Sequence, residues 1–92
     1  MQLRVDPIQG FEPAVVRVGV IIPHDAENVA ACLVIDGGDY YTNSCWELWD
    51  NSPAQFLKTF PGVPAGEYRV YLTVQARGGN RMIEAAFKVE ER

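Results

Sequence analysis

The chain has 92 residues, a formal net charge of −4 and 48% hydrophobic residues. This length leaves room for one domain, residues 1–92, because domains most often contain roughly 100 to 150 residues. Its eight Lys and Arg residues are dispersed, and no apolar run approaches the roughly 20 residues that cross a bilayer, so we expect neither nucleic acid nor membrane insertion.

The N-terminal third predicts β-strands, because apolar and polar residues alternate with period two. The strands are residues 2–7, 14–22 and 28–36, and the stretch between the first two is expected to be irregular. The third is almost continuously apolar, which favours a central strand covered on both faces. The single histidine, His24, falls in a loop, and we interpret it as solvated. Its alternative role in proton transfer or copper binding with Asp25 lacks further ligands in the sequence.

A glycine-rich turn, DGGD (36–39), joins the third strand to a fourth, 40–48, with one cysteine on each side. If the loop contains residues 37–40, Cys32 lies opposite Cys45 and a disulfide can form, whereas a tighter two-residue turn places Cys32 opposite Asn43. A disulfide and two buried thiols both remain open. A bridge would indicate an oxidising compartment and contribute about 3 kcal/mol.

Aromatic residues form the candidate binding surface. Its members are Tyr40, Tyr41, Trp46, Trp49 and Tyr71. Alternation puts Tyr40 and Trp46 on one face of the fourth strand and Tyr41 on the other, so some aromatic surface is expected to stay exposed. Exposed rings stack on sugars or anchor protein partners, which makes a carbohydrate-binding module an alternative function. The simpler interpretation gives the tryptophans packing roles.

No metal or cofactor is expected. Two cysteines cannot fill a structural zinc site. Acidic residues near one end of the predicted sheet are candidate calcium ligands, although turn aspartates usually bond to their own backbone. These residues are Asp36, Asp39, Glu47 and Asp50. No catalytic triad or phosphate-binding glycine loop can be assembled, so we expect no catalytic residues.

Three more strands complete the prediction, at residues 55–60, 67–76 and 82–90. The register of the first stays open, because Phe56 and Phe60 share a face with Lys58. Seven short strands with turns at intervals of roughly 8 to 12 residues predict an all-β fold. We expect a seven-stranded antiparallel immunoglobulin-like β-sandwich with Greek-key connections.

The segment VPAGEYRVYLTV (63–74) resembles the turn and penultimate strand of three kinds of accessory domain. These are the immunoglobulin-like, fibronectin type III-like and prealbumin-like (carboxypeptidase-regulatory-type) domains. In them a tyrosine packs in the core while its hydroxyl bonds to the backbone a few residues upstream. The resemblance implies this structural role for Tyr68, with Pro64 and Gly66 in the turn.

The same resemblance implies a function. It implies a non-catalytic module, not an enzyme, that acts as a spacer or protein-interaction domain of a larger bacterial envelope or secreted protein. Its partners would then be another protein or neighbouring domains of the same chain. Weak self-association through an edge strand is a further hypothesis.

Overall fold

The computed structural model describes residues 1–49 and 51–92, so Asp50 lies outside the described residues. Those residues form eight β-strands. The strands are β1 (Gln2–Asp6), β2 (Gln9–Phe11), β3 (Ala14–Ile21), β4 (Asn28–Gly37), β5 (Tyr40–Glu47), β6 (Gln55–Val63), β7 (Gly66–Ala76) and β8 (Gly79–Glu90). None of the described residues belongs to a helix long and apolar enough to span a membrane.

The strands form a three-stranded sheet, β1-β3-β6, and a five-stranded sheet, β2-β8-β7-β4-β5. The pairing of β2 with β8 is parallel, and the other pairings are antiparallel. The fold is therefore all-β, as predicted, but the seven-stranded, wholly antiparallel arrangement is wrong. The eighth strand is β2, in the stretch that we expected to be irregular. It pairs through its main chain over three residues, too few to produce an alternating pattern.

The core lies between the sheets and is built from alternate residues of the long strands. Its fully buried side chains are Val16, Val18, Val20, Leu33, Ile35, Val63, Val70, Leu72 and Val74. Burial of each such side chain stabilises the fold by roughly 1.5–3 kcal/mol.

Strand β4 has only one face in this core, which corrects the prediction that it is covered on both faces. Ala31, Leu33 and Ile35 are buried, whereas Cys32 and Val34 lie half-buried on the outer face of the five-stranded sheet. The outer face is apolar because it carries Cys32 and Val34, of which Cys32 pairs with Cys45 on β5.

The two sheets contact each other through different strands at the two lateral edges of the sandwich. Strand β1 contacts β8 on one side. On the other side lie the end strands β5 and β6, where the Trp46 ring is 5.1 Å from the Phe56 ring and Lys58 Nζ is 4.7 Å from the Trp46 centroid. Lys58 pairs with the buried Val18, so it faces inward with the two phenylalanines of β6. Its apolar stem lies between the sheets and its ammonium group lies over the indole ring.

Candidate functional site

The β4–β5 hairpin carries the residues with reactive chemistry. Its two-residue turn, Gly38–Asp39, places Gly37 opposite Tyr40, and the register then brings Cys32 directly opposite Cys45. Gly38 has a φ of 68°, which glycine adopts without a steric penalty. The turn is tight, yet it begins one residue later than the tight turn that would have placed Cys32 opposite Asn43.

A disulfide joins Cys32 and Cys45, and none of the described cysteines is free. The two Cα atoms are 4.1 Å apart, the short spacing of an antiparallel pair that exchanges no main-chain hydrogen bonds. Because the neighbours Ala31 and Leu33 face the core, the bridge lies on the outer face of the sheet. Of the two bridged residues, Cys45 is exposed and Cys32 is half-buried.

The surroundings of the bridge are polar along β5 and less polar across the sheet. On the side of β4 away from β5, Cys32 is paired with Thr73 on β7, and Thr73 is paired with the exposed Met82 on β8. Cys45 Sγ lies 3.4 Å from Asn43 Oδ1. A disulfide sulfur carries no hydrogen, so only the reduced Cys45 thiol can donate a hydrogen bond to Asn43. Sequence reasoning did not single out Asn43 as a contact of Cys45, although their two-residue spacing on one strand places them on one face.

Strand β5 is the least buried long strand of the five-stranded sheet. Its residues alternate between exposed and half-buried, and none is fully buried. Besides its ladder with β4 and the disulfide, β5 is held by the packing of its two inward-facing rings, Tyr40 and Trp46, against the core.

The five aromatic residues of the candidate binding surface do not come together. Tyr40 and Trp46 face inward and are half-buried, and Tyr40 packs edge-on against Tyr68 with ring centroids 5.8 Å apart. Tyr41 is 61% exposed on the outer face, where Tyr71 is half-buried on β7. Trp49 is exposed in the segment after β5. The structure thus offers no single platform of five rings.

The segment from Pro64 to Tyr68 forms a packed corner. The Tyr68 hydroxyl donates a 2.6 Å hydrogen bond to the Pro64 carbonyl, and its ring stacks on Phe87 with centroids 4.8 Å apart. Gly66 lies beneath this ring with a φ of 157°, and the Glu12 side chain accepts a hydrogen bond from the Ala65 amide. These contacts are structural and lie apart from the disulfide.

Metal-ligating side chains are scattered. Across residues 1–49 and 51–92, no group of three or more His, Cys, Asp or Glu residues is placed to hold a metal ion. His24 is exposed in the loop between β3 and β4. The Asp25 side chain accepts a hydrogen bond from the Glu27 amide at 2.9 Å, so it serves its own backbone.

No family model and no curated protein matches the chain. Among solved structures, the chain is similar to the superoxide reductase (neelaredoxin) from Ignicoccus hospitalis, with a TM-score of 0.68 and 17% sequence identity. The match covers 97% of this chain and 79% of that chain. At this identity the likeness shows the fold alone.

This likeness corrects the predicted family. The immunoglobulin-like, fibronectin type III-like or prealbumin-like assignment is wrong, because nearly the whole chain superposes on a superoxide reductase. The non-catalytic spacer or protein-interaction function, and the expectation that the chain is not an enzyme, are corrected with it, since an enzyme uses this fold. The implied bacterial origin loses its basis as well.

Proposed function

We propose that this domain acts by thiol–disulfide exchange at Cys32–Cys45, with a dithiol as its co-reactant. The observation that carries the proposal is the position of the bridge on the outer face of the sheet, with Cys45 exposed. A thiolate must approach a sulfur atom directly, and exposed disulfides are the ones that exchange readily. The β4–β5 register supplies that access without any unfolding.

The exchange proceeds in two steps. A thiolate of the dithiol attacks Cys45 Sγ, a mixed disulfide forms, and the Cys32–Cys45 bond breaks. Cys32 leaves as a thiolate and takes a proton. The second thiolate of the dithiol then attacks the mixed disulfide, Cys45 leaves and is protonated, and the dithiol has become a disulfide.

One residue of β5 next to the bridge supports reduction at Cys45. Asn43 Oδ1 is placed to accept a hydrogen bond from the reduced Cys45 thiol. The Asn43 side chain can therefore hold the thiol that reduction produces.

The side chains of the described residues are better suited to thiol–disulfide exchange than to the reduction of superoxide, the activity named for the similar structure. Reduction of superoxide needs an electron donor, which proteins generally supply through a bound metal or cofactor. The described residues bring together no metal-ligating group, and both cysteines belong to the disulfide. These residues do not fit such a centre, so we assign no step of superoxide chemistry to this chain.

The proposal is tested by reducing the folded protein with dithiothreitol and following the free thiols by mass spectrometry after alkylation. We expect second-order kinetics that do not change in low concentrations of urea. If reduction instead occurs only at the rate of global unfolding, the bridge is a structural element and the proposal fails.

A matched pair of single variants tests which sulfur is attacked. Cys32→Ser leaves Cys45 as the one thiol, and Cys45→Ser leaves Cys32. We expect the thiol of Cys32→Ser to react with an aromatic disulfide at least about tenfold faster, because Cys45 is exposed whereas Cys32 is half-buried. Equal rates would contradict the assignment of Cys45.

A further inference from the structure

We propose that the free edge of β5 pairs with β5 of a second copy of this chain, which joins two five-stranded sheets into one continuous antiparallel sheet. This inference concerns the main chain of β5 and does not rest on exchange at the disulfide. It depends on how the structure treats each sheet edge, because an end strand presents unpaired N–H and C=O groups to any strand that can approach.

The edges on the closed side of the sandwich are protected. There β1 contacts β8, and β2 pairs with the last residues of β8. Arg81 on β8 pairs with the buried Val74, so its side chain starts on the inner side of the sheet, and its guanidinium donates a 2.9 Å hydrogen bond to Asn28 Oδ1. An inward-pointing charge at an edge opposes the addition of another strand.

Strand β6 is protected in a similar way. Lys58 faces inward with its ammonium group over Trp46, so an added strand would have to pass a charge at this edge. Pro61 lies in the same strand and has no N–H to donate. Both devices are ones that natural proteins use to prevent edge pairing.

Strand β5 has none of these devices. Its eight residues contain no proline and no basic side chain, and Glu47 at its end is its one charged residue. The Cys32–Cys45 pair exchanges no main-chain hydrogen bonds, so the N–H and C=O groups of Cys45 point away from β4. By the period-two alternation, those of Tyr41 and Asn43 point the same way. These groups form a row directed at the free edge.

A second copy fits this row because β5 is complementary to itself. A two-fold axis at Ser44 places Asn43 opposite the Cys45 of the other copy and Tyr41 opposite the Glu47 of the other copy. Both are pairs of residues whose main-chain groups point to the free edge, which is what an antiparallel ladder requires. Because Glu47 meets a tyrosine and not its own counterpart, no like charges are opposed.

Analytical ultracentrifugation of the oxidised protein tests the pairing. We expect the mass to rise with concentration from the 10.3 kDa of one chain to twice that value. Asn43→Pro removes an N–H from the free edge and leaves the ladder with β4 in place, so it should abolish the rise. The matched control Asn43→Ala keeps the N–H and should retain the rise.

Two outcomes overturn the proposal: a mass that stays at one chain across the accessible concentrations, or a dimer that survives Asn43→Pro. If the proline variant does not fold, hydrogen exchange of the wild-type protein at increasing concentration tests the pairing instead. The amides of Tyr41, Asn43 and Cys45 should exchange more slowly as concentration rises, whereas Arg69 and Thr73 on the interior strand β7 should not change. Exchange of the β5 amides that is independent of concentration rejects the pairing.

Discussion

The hydroxyl of Tyr68 donates a hydrogen bond of 2.6 Å to the carbonyl of Pro64, four residues upstream. Tyr68 is buried against Phe87, whereas Pro64 is exposed. We expect Tyr68→Phe to lower the free energy of unfolding by about 1 kcal/mol, the net contribution of one intramolecular hydrogen bond. Urea denaturation measures this loss.

The matched control is Tyr71→Phe on the outer face of β7, where the side chain is half-buried and the structure shows no hydrogen bond from its hydroxyl within the described residues. That change should stay within about 0.5 kcal/mol. A loss at Tyr68 as small as the control would show that its hydroxyl makes no such bond in solution.

The same tyrosine predicts a pH dependence. Burial, and after it the charges of Tyr40, Asp39 and Glu12, raise the pKa of Tyr68 above its ordinary value of 10.0. The folded protein therefore keeps Tyr68 protonated at a pH where the unfolded chain ionises. Its contribution to stability is complete below about pH 10 and is lost as the pH rises through the folded pKa.

Unfolding free energies of the wild type and Tyr68→Phe, measured from about pH 8 to pH 11, test this linkage. The wild type should lose more stability than the variant above about pH 10, since the phenylalanine cannot ionise. Parallel curves would contradict the linkage.

Gly37 is predicted to tolerate no larger side chain. A Cβ atom there would overlap Cδ1, Cε1 and Cγ of the Tyr68 ring. Gly37→Ala should therefore cost about 1–3 kcal/mol of stability, the range for overpacking a core. Gly78→Ala is the control, because a Cβ at Gly78 meets nothing within 4 Å. If the overlap is the cause, the cost of Gly37→Ala falls in a Tyr68→Leu background, which a double-mutant cycle measures.

The disulfide is predicted to hold β5 in place. It closes a loop with a sequence separation of 13, so its removal should cost about 3 kcal/mol. The double variant, Cys32→Ser combined with Cys45→Ser, should show this loss of stability as a lower Tm in thermal unfolding. Hydrogen exchange should rise most in β5, because none of its residues is fully buried. An equal rise in β3, whose alternate residues are buried, would contradict this local effect.

Period-two alternation was sufficient for the strands that have one face in the core. The prediction of a strand at 14–22 corresponds to β3, and that at 67–76 corresponds to β7. In both, every second side chain is buried, so the hydrophobic pattern carries the information. The parallel strand β2 could not be found in this way, since its pairing depends on main-chain groups and not on side chains.

The family and the site were harder to predict, for two physical reasons. The segment around Tyr68 satisfies a local requirement, a buried hydroxyl bonded to a nearby carbonyl, and unrelated β-folds meet that requirement with the same few residues. The pairing of Cys32 with Cys45 depended on which two residues form the turn. A shift of one residue in that choice exchanges Cys45 for Asn43, and the glycines at 37 and 38 permit either turn.

The two-residue turn at Gly38–Asp39 also limits how the length of this chain can change. An inserted residue that entered the pairing, and not the loop, would move β5 by one position against β4, and every side chain of β5 would change faces. Trp46 would leave the interior, and Cys45 would turn toward the core, away from Cys32. Insertions at this hairpin should therefore be tolerated only where the added residues form a longer loop that leaves the pairing of the present Gly37 and Tyr40 in place, as a three-residue turn with a bulge does.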